Sequence, residues 1–182
     1  FKTIPYPYIH DGDGGRYGVI SSIITKDLDT PWVNWANYRH NVLSKNKICV
    51  SFAAFQHAGI MFYGKYEPQG KRMPCAIVYG GESTEFLISS TAIPAGVSEV
   101  DFVGALAGRP VDLVPCETID LYVPADAEIV VEGEIVPGER GYEGPFGEYI
   151  GFFHGPRALM PVLRVTAITH RDNPVFPSSC PG

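Results

Sequence analysis

Glycine and proline punctuate this chain so often that few long helices fit between them: 20 glycines and 16 prolines fall at short intervals along 182 residues. Proline withdraws a backbone donor and glycine relaxes φ, so both mark turns between short extended runs. Those runs are rich in β-branched and aromatic residues and read as strands: Arg16 to Thr25, Ile48 to Phe52, Cys75 to Tyr79, Val111 to Val114, Glu128 to Val136 and Val162 to Thr169. Helical spacing is confined to Gln56 to about Glu67, with Ile60 and Tyr63 on one side, and to Ser98 to Ala107, with Val100, Val103 and Leu106 in one stripe. Ser83 to Leu87 reads as a further short turn. In Ser98-Glu99-Val100-Asp101, the Ser98 hydroxyl and the Asp101 carboxylate are expected to cap the second helix. The expected fold is mainly β with flanking helices (α+β), a small barrel or curled sheet with helices laid against it.

Asp11-Gly12-Asp13-Gly14-Gly15 is the densest turn signal, predicted to separate an extended amino-terminal arm from the first strand. It lacks the third acidic residue and the bidentate Glu of an EF-hand calcium loop.

With 45% hydrophobic and 19% charged residues, the chain belongs among globular proteins of single-domain size. Net charge is −6 and the 14 basic residues are scattered, which excludes a phosphate-tracking stripe and so nucleic acid as a partner. No apolar run approaches the length of a membrane span and no leader-like opening is seen, so the expected compartment is cytoplasmic. Cys49, Cys75, Cys116 and Cys180 form no Cys-x-x-Cys pair and read as buried or idle thiols. The chain opens Phe1-Lys2-Thr3 without Met and stops at Ser178-Ser179-Cys180-Pro181-Gly182 just after a strand, as a piece of a longer protein would.

Common catalytic signatures are absent: no Gly-x-Gly-x-x-Gly opening a helix, Walker loop, His-Glu-x-x-His or Gly-x-Ser-x-Gly. What remains is polar residues in apolar company. Glu143-Gly144-Pro145-Phe146-Gly147-Glu148 sets two carboxylates around a segment that can be neither regular helix nor central strand. With Tyr142, Tyr149, Phe152 and Phe153 around it, this loop is either a semi-apolar site for a general acid or base or a surface turn with solvated acids. Trp32-Val33-Asn34-Trp35-Ala36-Asn37-Tyr38-Arg39 suits recognition of something planar and anionic, or a buried aromatic layer with Arg39 reaching water. His57 of Gln56-His57 lies near a helix start, and Glu99 in a first helical turn, where each has an ordinary structural reading. Taken together, Asn34, His57 and Glu99 offer oxygen and imidazole ligands suited to Mg²⁺ or Mn²⁺.

In order along the chain, Asn34-Trp35 with Arg39, Gln56-His57, Ile93-Pro94-x-Gly96-Val97-Ser98-Glu99, Asp120-x-Tyr122-Val123-Pro124 and the Glu143-to-Glu148 hexapeptide resemble the UbiD family of reversible decarboxylases. The match runs from the region of Asp13 to Ser178-Ser179-Cys180, almost the whole chain. The resemblance implies a split β-barrel of the flavin-binding type over residues 1–182, a single cofactor-binding domain of a longer, homo-oligomeric chain with further amino- and carboxy-terminal domains.

It further implies that Asn34, His57 and Glu99 hold a divalent ion, usually manganese with magnesium as the alternative, that anchors the phosphate of prenylated FMN. A potassium ion would sit beside Trp35, Ser89, Ser90, Thr91 and Glu99, and the cofactor would also run along Ala36, Asn37, Arg39, Gln56 and His57. Arg39, Glu143 and Glu148 would be catalytic: Arg39 orients the substrate carboxylate, Glu148 delivers the proton that replaces CO₂, and Glu143 holds Arg39. The implied activity is non-oxidative, reversible decarboxylation of an aromatic, heteroaromatic or α,β-unsaturated acid through a covalent adduct with prenylated FMN, which a flavin prenyltransferase would supply. Asn37-Tyr38 stand where relatives often carry small or aliphatic residues, and Thr91 where Met is common, which bears on substrate identity. An ordinary redox flavoprotein with unmodified FMN and an isolated non-catalytic domain are the rival expectations.

Overall fold

The computed structural model describes residues 4–153 and 155–181. The predicted chain opening at Phe1-Lys2-Thr3 and the final Gly182 lie outside the described residues. Among the described residues ten strands and three α-helices follow one another as β1 (Tyr17–Gly18), β2 (Ser22–Lys26), β3 (Val33–Ala36), β4 (His40–Ser44), β5 (Lys47–Val50), α1 (His57–Met61), β6 (Met73–Tyr79), α2 (Ser83–Ser89), α3 (Glu99–Ala107), β7 (Leu113–Pro115), β8 (Tyr122–Pro124), β9 (Ile129–Glu143) and β10 (Ala158–His170). Eight strands form one antiparallel sheet in the order β1-β4-β5-β10-β9-β6-β2-β3, and β7 pairs with β8 in a separate hairpin. The expectation of a mainly β chain with flanking helices is met. Among the described residues the sheet stays open, with β1 and β3 as its edges. No helix of the described residues is long and apolar enough to cross a membrane.

Consecutive residues of the strands face opposite sides of the sheet, and both sides are covered. Ile23, Ile77 and Val131 join a large core with Phe52, Met61, Phe62 and Leu163. Their neighbours Ile24, Ala76, Val78 and Val130 join Trp35, Leu121 and Val123 in a second core on the other side. This explains why β6 and the start of β9, Ile129 to Val131, are apolar without a break. Each fully buried Ile or Val contributes about 1.5–3 kcal/mol relative to exposure. Glu132 interrupts the run in β9 and is buried as well. Its carboxylate accepts Glu117 N–H at 3.0 Å, Thr118 N–H at 2.8 Å and the Thr118 hydroxyl at 2.9 Å, pinning the loop between β7 and β8 to the sheet.

Several elements depart from the sequence reading, and β3, β4 and β8 had no predicted strand segment of their own. The run from Arg16 to Thr25 breaks at Val19, because β1 pairs with β4 while β2 pairs with β6 and β3 at the far edge. The strand expected to end at Val136 continues to Glu143, since Val136 to Glu139 bulge opposite Val162 and the ladder with β10 then resumes at Arg140↔Pro161. The helix from Gln56 is α-helical only through Met61 and continues as a π turn over Phe62–Tyr66. Arg140 of β9 holds the end of that turn by two 2.7 Å hydrogen bonds to Glu67. Ser98 does not cap α3 through its side chain; its hydroxyl accepts Val33 N–H at 3.3 Å and ties α3 to β3.

His40, at the start of β4, points into the larger core. Its Nδ1 lies 3.1 Å from the Tyr38 carbonyl, so in the neutral ring Nδ1 carries the proton and Nε2 accepts from the Tyr79 hydroxyl at 2.5 Å. The Tyr79 and Tyr6 hydroxyls meet at 2.7 Å. Burial pushes the His40 pKa down to about 4, below its ordinary 6.5. A depressed pKa means that the unfolded chain binds the proton more readily, so the stabilisation is complete above about pH 6.5 and is lost as pH falls toward 4. Denaturant midpoints measured across that window should show a loss of about 3 kcal/mol attributable to this ring, and His40→Gln should flatten the curve there.

Candidate active site

β3 and the turn after it carry most of the site. Asn34 is fully buried on the side of α1, where His57 Nδ1 lies 3.1 Å from Asn34 Oδ1. The Trp32 ring meets the His57 ring edge-on at 5.0 Å, and Trp32 Nε1 donates to Val97 O, so the imidazole is braced from the α3 side. Burial lowers the His57 pKa. Glu99, the first residue of α3, is also buried; its Oε2 accepts Trp35 N–H at 2.7 Å and burial raises its pKa.

Asn34, Trp35, Ala36, Asn37, Gln56, His57, Ser89, Ser90, Thr91 and Glu99 line one cleft of about 330 Å³. Two bonds shape its wall: Asn37 N–H donates to Ser89 O at 2.9 Å, and Ser22 Oγ donates to Ser89 Oγ at 3.0 Å. Gln56 is turned back on the chain, its Oε1 accepting Ala53 N–H. Among the described residues no three His, Cys, Asp or Glu side chains cluster, so His57 and Glu99 alone do not make a cation site and Asn34 is the further side chain that could complete one with them. The donors suit that purpose: amide oxygen, imidazole nitrogen and carboxylate form a hard-to-borderline set. Asn34 Nδ2 is buried without a well-formed hydrogen bond, its nearest claim being on the Tyr38 hydroxyl, so the protein alone does not satisfy this amide.

A second cleft of about 730 Å³ shares Asn37, Tyr38, Phe55 and Gln56 with the first and ends on Arg39, Glu143 and Glu148. Arg39 Nε donates to Glu143 Oε1 at 2.8 Å, Nη2 to Glu143 Oε2 at 3.2 Å and Nη1 to Glu148 Oε1 at 2.5 Å. Its guanidinium carbon stands 5.0 Å from the centre of the Phe146 ring. Burial alone would lower the Arg39 pKa, but the hydrogen bonds and charge of Glu143, followed by the charge of Glu148, outweigh it and raise the pKa. Glu143 ends β9 and is buried, whereas the Glu148 side chain is 25% exposed toward the cleft. Gly144-Pro145 is cis; the reading of this segment as a turn with two solvated acids does not hold for Glu143, which is buried, and Arg39 is paired with both carboxylates instead of reaching only to water.

The apolar surround comes from elsewhere than expected. Tyr142, Tyr149, Phe152 and Phe153 are exposed, and the rings against the network are Phe146 and Tyr17. Tyr17 had no signal beyond its place in a strand. Its hydroxyl donates to Glu143 Oε1 at 3.2 Å and accepts Gly144 N–H at 2.9 Å. The glycine-rich turn at 11–15 is more than a separator. Asp13 Oδ1 accepts Gly147 N–H at 2.9 Å, and Gly14 N–H donates to Pro145 O at 2.7 Å, so the turn is bolted to the loop that carries Glu148. The dense Asp/Gly cluster was the available clue to this contact.

The fold and the paired clefts define a class first. The chain superposes on an evolved dimeric form of the UbiD-class enzyme HmfF from Pelotomaculum thermopropionicum in complex with prFMN with a TM-score of 0.91 and 39% identity, over 96% of this chain and 40% of that one. A family described as "UbiD: 3-octaprenyl-4-hydroxybenzoate carboxy-lyase Rift-related domain" matches residues 1–182, and the chain belongs to the UbiD family. It is 36% identical over 174 residues to pyrrole-2-carboxylic acid decarboxylase of Pseudomonas aeruginosa, covering 95% of this chain and 35% of that protein. To ferulic acid decarboxylase 1 of Saccharomyces cerevisiae it is 37% identical over 185 residues, covering 100% and 37%. The chain thus spans about a third of the length of the curated relatives it matches.

A Cβ on Gly14 would collide with the Gly144 carbonyl, which is backbone and cannot swing aside. Gly14→Ala should therefore destabilise the chain by about 1–3 kcal/mol, read by chemical denaturation, and should shift the amide resonances of Gly144 and of Phe146 to Glu148 more than those of β2 or β6.

Proposed function

We propose that this chain is the cofactor-binding domain of a longer carboxy-lyase that removes CO₂ from an aromatic, heteroaromatic or α,β-unsaturated acid with the help of prenylated FMN. The observation that carries the reading is Arg39, bridged between Glu143 and Glu148 at one end of a cleft that runs on into the pocket of Asn34, His57 and Glu99. Membership of the UbiD family supports it.

Asn34, His57 and Glu99 would hold Mn²⁺ or Mg²⁺, and Trp35, Ser89, Ser90 and Thr91, beside Glu99, would hold K⁺, both at the phosphate end of the flavin. Ala36, Asn37 and Gln56 lie along the same cleft and would seat the ring system toward Arg39. When bound, prenylated FMN supplies the electron sink for the charge left as CO₂ departs. Arg39 has five N–H donors, of which three are engaged by the two carboxylates; one on Nη1 and one on Nη2 remain to hold the substrate carboxylate. The Phe146 ring beneath the guanidinium and Glu143 beside it keep that fork in place. Glu148, the more exposed acid, holds the proton that takes the place of CO₂. On the family resemblance alone, the full-length protein would be a homo-oligomer served by a flavin prenyltransferase.

In the full-length protein loaded with prenylated FMN, Glu148→Gln should lower CO₂ release by about 10²–10⁴-fold while flavin content, read by absorbance, stays that of the parent. A fully active variant would remove Glu148 as proton donor. Stripping divalent ions with a chelator should weaken flavin binding about tenfold or more, followed by fluorescence titration. Unchanged affinity would favour a flavoprotein that holds its cofactor without a metal.

A further inference from the structure

We infer that Tyr17 is a positioning residue that directs the proton of the Arg39 network to Glu148, by giving Glu143 a permanent hydroxyl donor. Its consequence for turnover rests on the decarboxylase reading; the hydrogen-bond geometry does not.

Glu143 Oε1 accepts both Arg39 Nε–H at 2.8 Å and the Tyr17 hydroxyl at 3.2 Å, and Oε2 accepts Arg39 Nη2–H. Among the described residues Glu148 accepts a single donor, Arg39 Nη1, on Oε1, and none reaches its Oε2. Every donated hydrogen bond favours the ionised carboxylate, and the described residues give Glu143 three donors and Glu148 one, leaving Oε2 of Glu148 open. The direction of the Tyr17 bond is forced. Gly144 N–H can only donate, so it occupies a lone pair of the hydroxyl, and the hydroxyl hydrogen is left for Glu143. Burial, reinforced by the charge of Glu143, raises the Tyr17 pKa, and the phenol stays protonated wherever the network works. The ring is pinned by Phe146, 4.6 Å away, whose face carries Arg39.

The other titratable groups facing Glu143 do not compete for this role. Arg39 enters from the turn between β3 and β4 and serves both carboxylates. Cys49 faces it from β5, but burial first, and then the charge of Glu143, push that thiol up to about 12, and its Sγ–H is directed to the Gly141 and Met160 carbonyls. Among the described residues Glu148 is linked to Glu143 through Arg39. Tyr17 is therefore the neutral donor that makes the two acids unequal. Two carboxylates sharing one arginine titrate as a coupled set, so the proton has to be located residue by residue.

The test is ¹³C NMR of the full-length protein with labelled glutamate carboxyls, assigned through Glu143→Gln and Glu148→Gln and titrated downward in pH. Glu148 should take the proton first, and Tyr17→Phe should move the Glu143 midpoint upward by about one pH unit, with kcat reduced more than KM and the acid limb of the rate profile displaced in the same direction. Protonation of Glu143 before Glu148 in the parent, or an unmoved Glu143 midpoint in Tyr17→Phe, would overturn the inference. Where Tyr17→Phe does not fold, 3,5-difluorotyrosine at position 17, a stronger donor of nearly the same shape, must move the Glu143 midpoint downward. If the parent releases no CO₂ from any acid of the proposed classes, the functional reading fails while the NMR result still decides the role of Tyr17.

Discussion

A guanidinium held mostly out of water between two carboxylates governs this structure. The Arg39 side chain is 19% exposed, and without its two acids the charge would face rings that cannot solvate it. These residues come from separate parts of the chain: Arg39 from the turn after β3, Glu143 from the end of β9 and Glu148 from the loop beyond. No local segment can assemble them. The network forms only when the long ladder of β9 and β10 is in register, with Ala158 opposite Glu143, and when the turn at Asp13 and Gly14 has docked on residues 145–147.

The two-sided sheet makes that assembly rigid. Apolar residues alternate between a core against α1 and its π continuation and a second core under the β7–β8 hairpin, so β2, β6 and β9 are fixed from both faces. β3, at the sheet edge, is placed differently. Its backbone is held on one side by β2 and on the other by side chains of α3: Ser98 accepts Val33 N–H and Glu99 accepts Trp35 N–H. An edge strand whose outer N–H groups are satisfied by a hydroxyl and a carboxylate is protected from pairing with another chain. The same arrangement brings Glu99 to the cleft that holds Asn34 and His57.

Much of this was legible beforehand. The density of glycine and proline pointed to many strands, and every predicted strand segment overlaps one, although the boundaries moved where a bulge or a change of partner intervened and β3, β4 and β8 were not foreseen. The wrong boundary at Val136 has a plain cause: Pro137 and Gly138 end a strand locally, but a ladder as long as that of β9 and β10 can bulge around them. The capping box expected at Ser98 lost to a tertiary acceptor role for the same hydroxyl. The aromatic residues flanking the hexapeptide misled because proximity in sequence says nothing about which way a ring faces. Phe146, inside the loop, turns in, while Tyr142, Tyr149, Phe152 and Phe153 turn out.

By itself the sequence determined the chemistry available: two carboxylates around a bent segment, an arginine among aromatics, and an amide, an imidazole and an acid fit for a cation. It also set the punctuation that makes the chain a sheet, because φ preferences and missing donors act within a few residues. Only the tertiary structure decided which charge meets which, that Tyr17 stands beneath Glu143, and that the Asp13 turn grips the loop of Glu148. Those choices depend on register and burial across more than a hundred residues of chain, and the cost of an unpaired buried charge is felt only once water has been excluded.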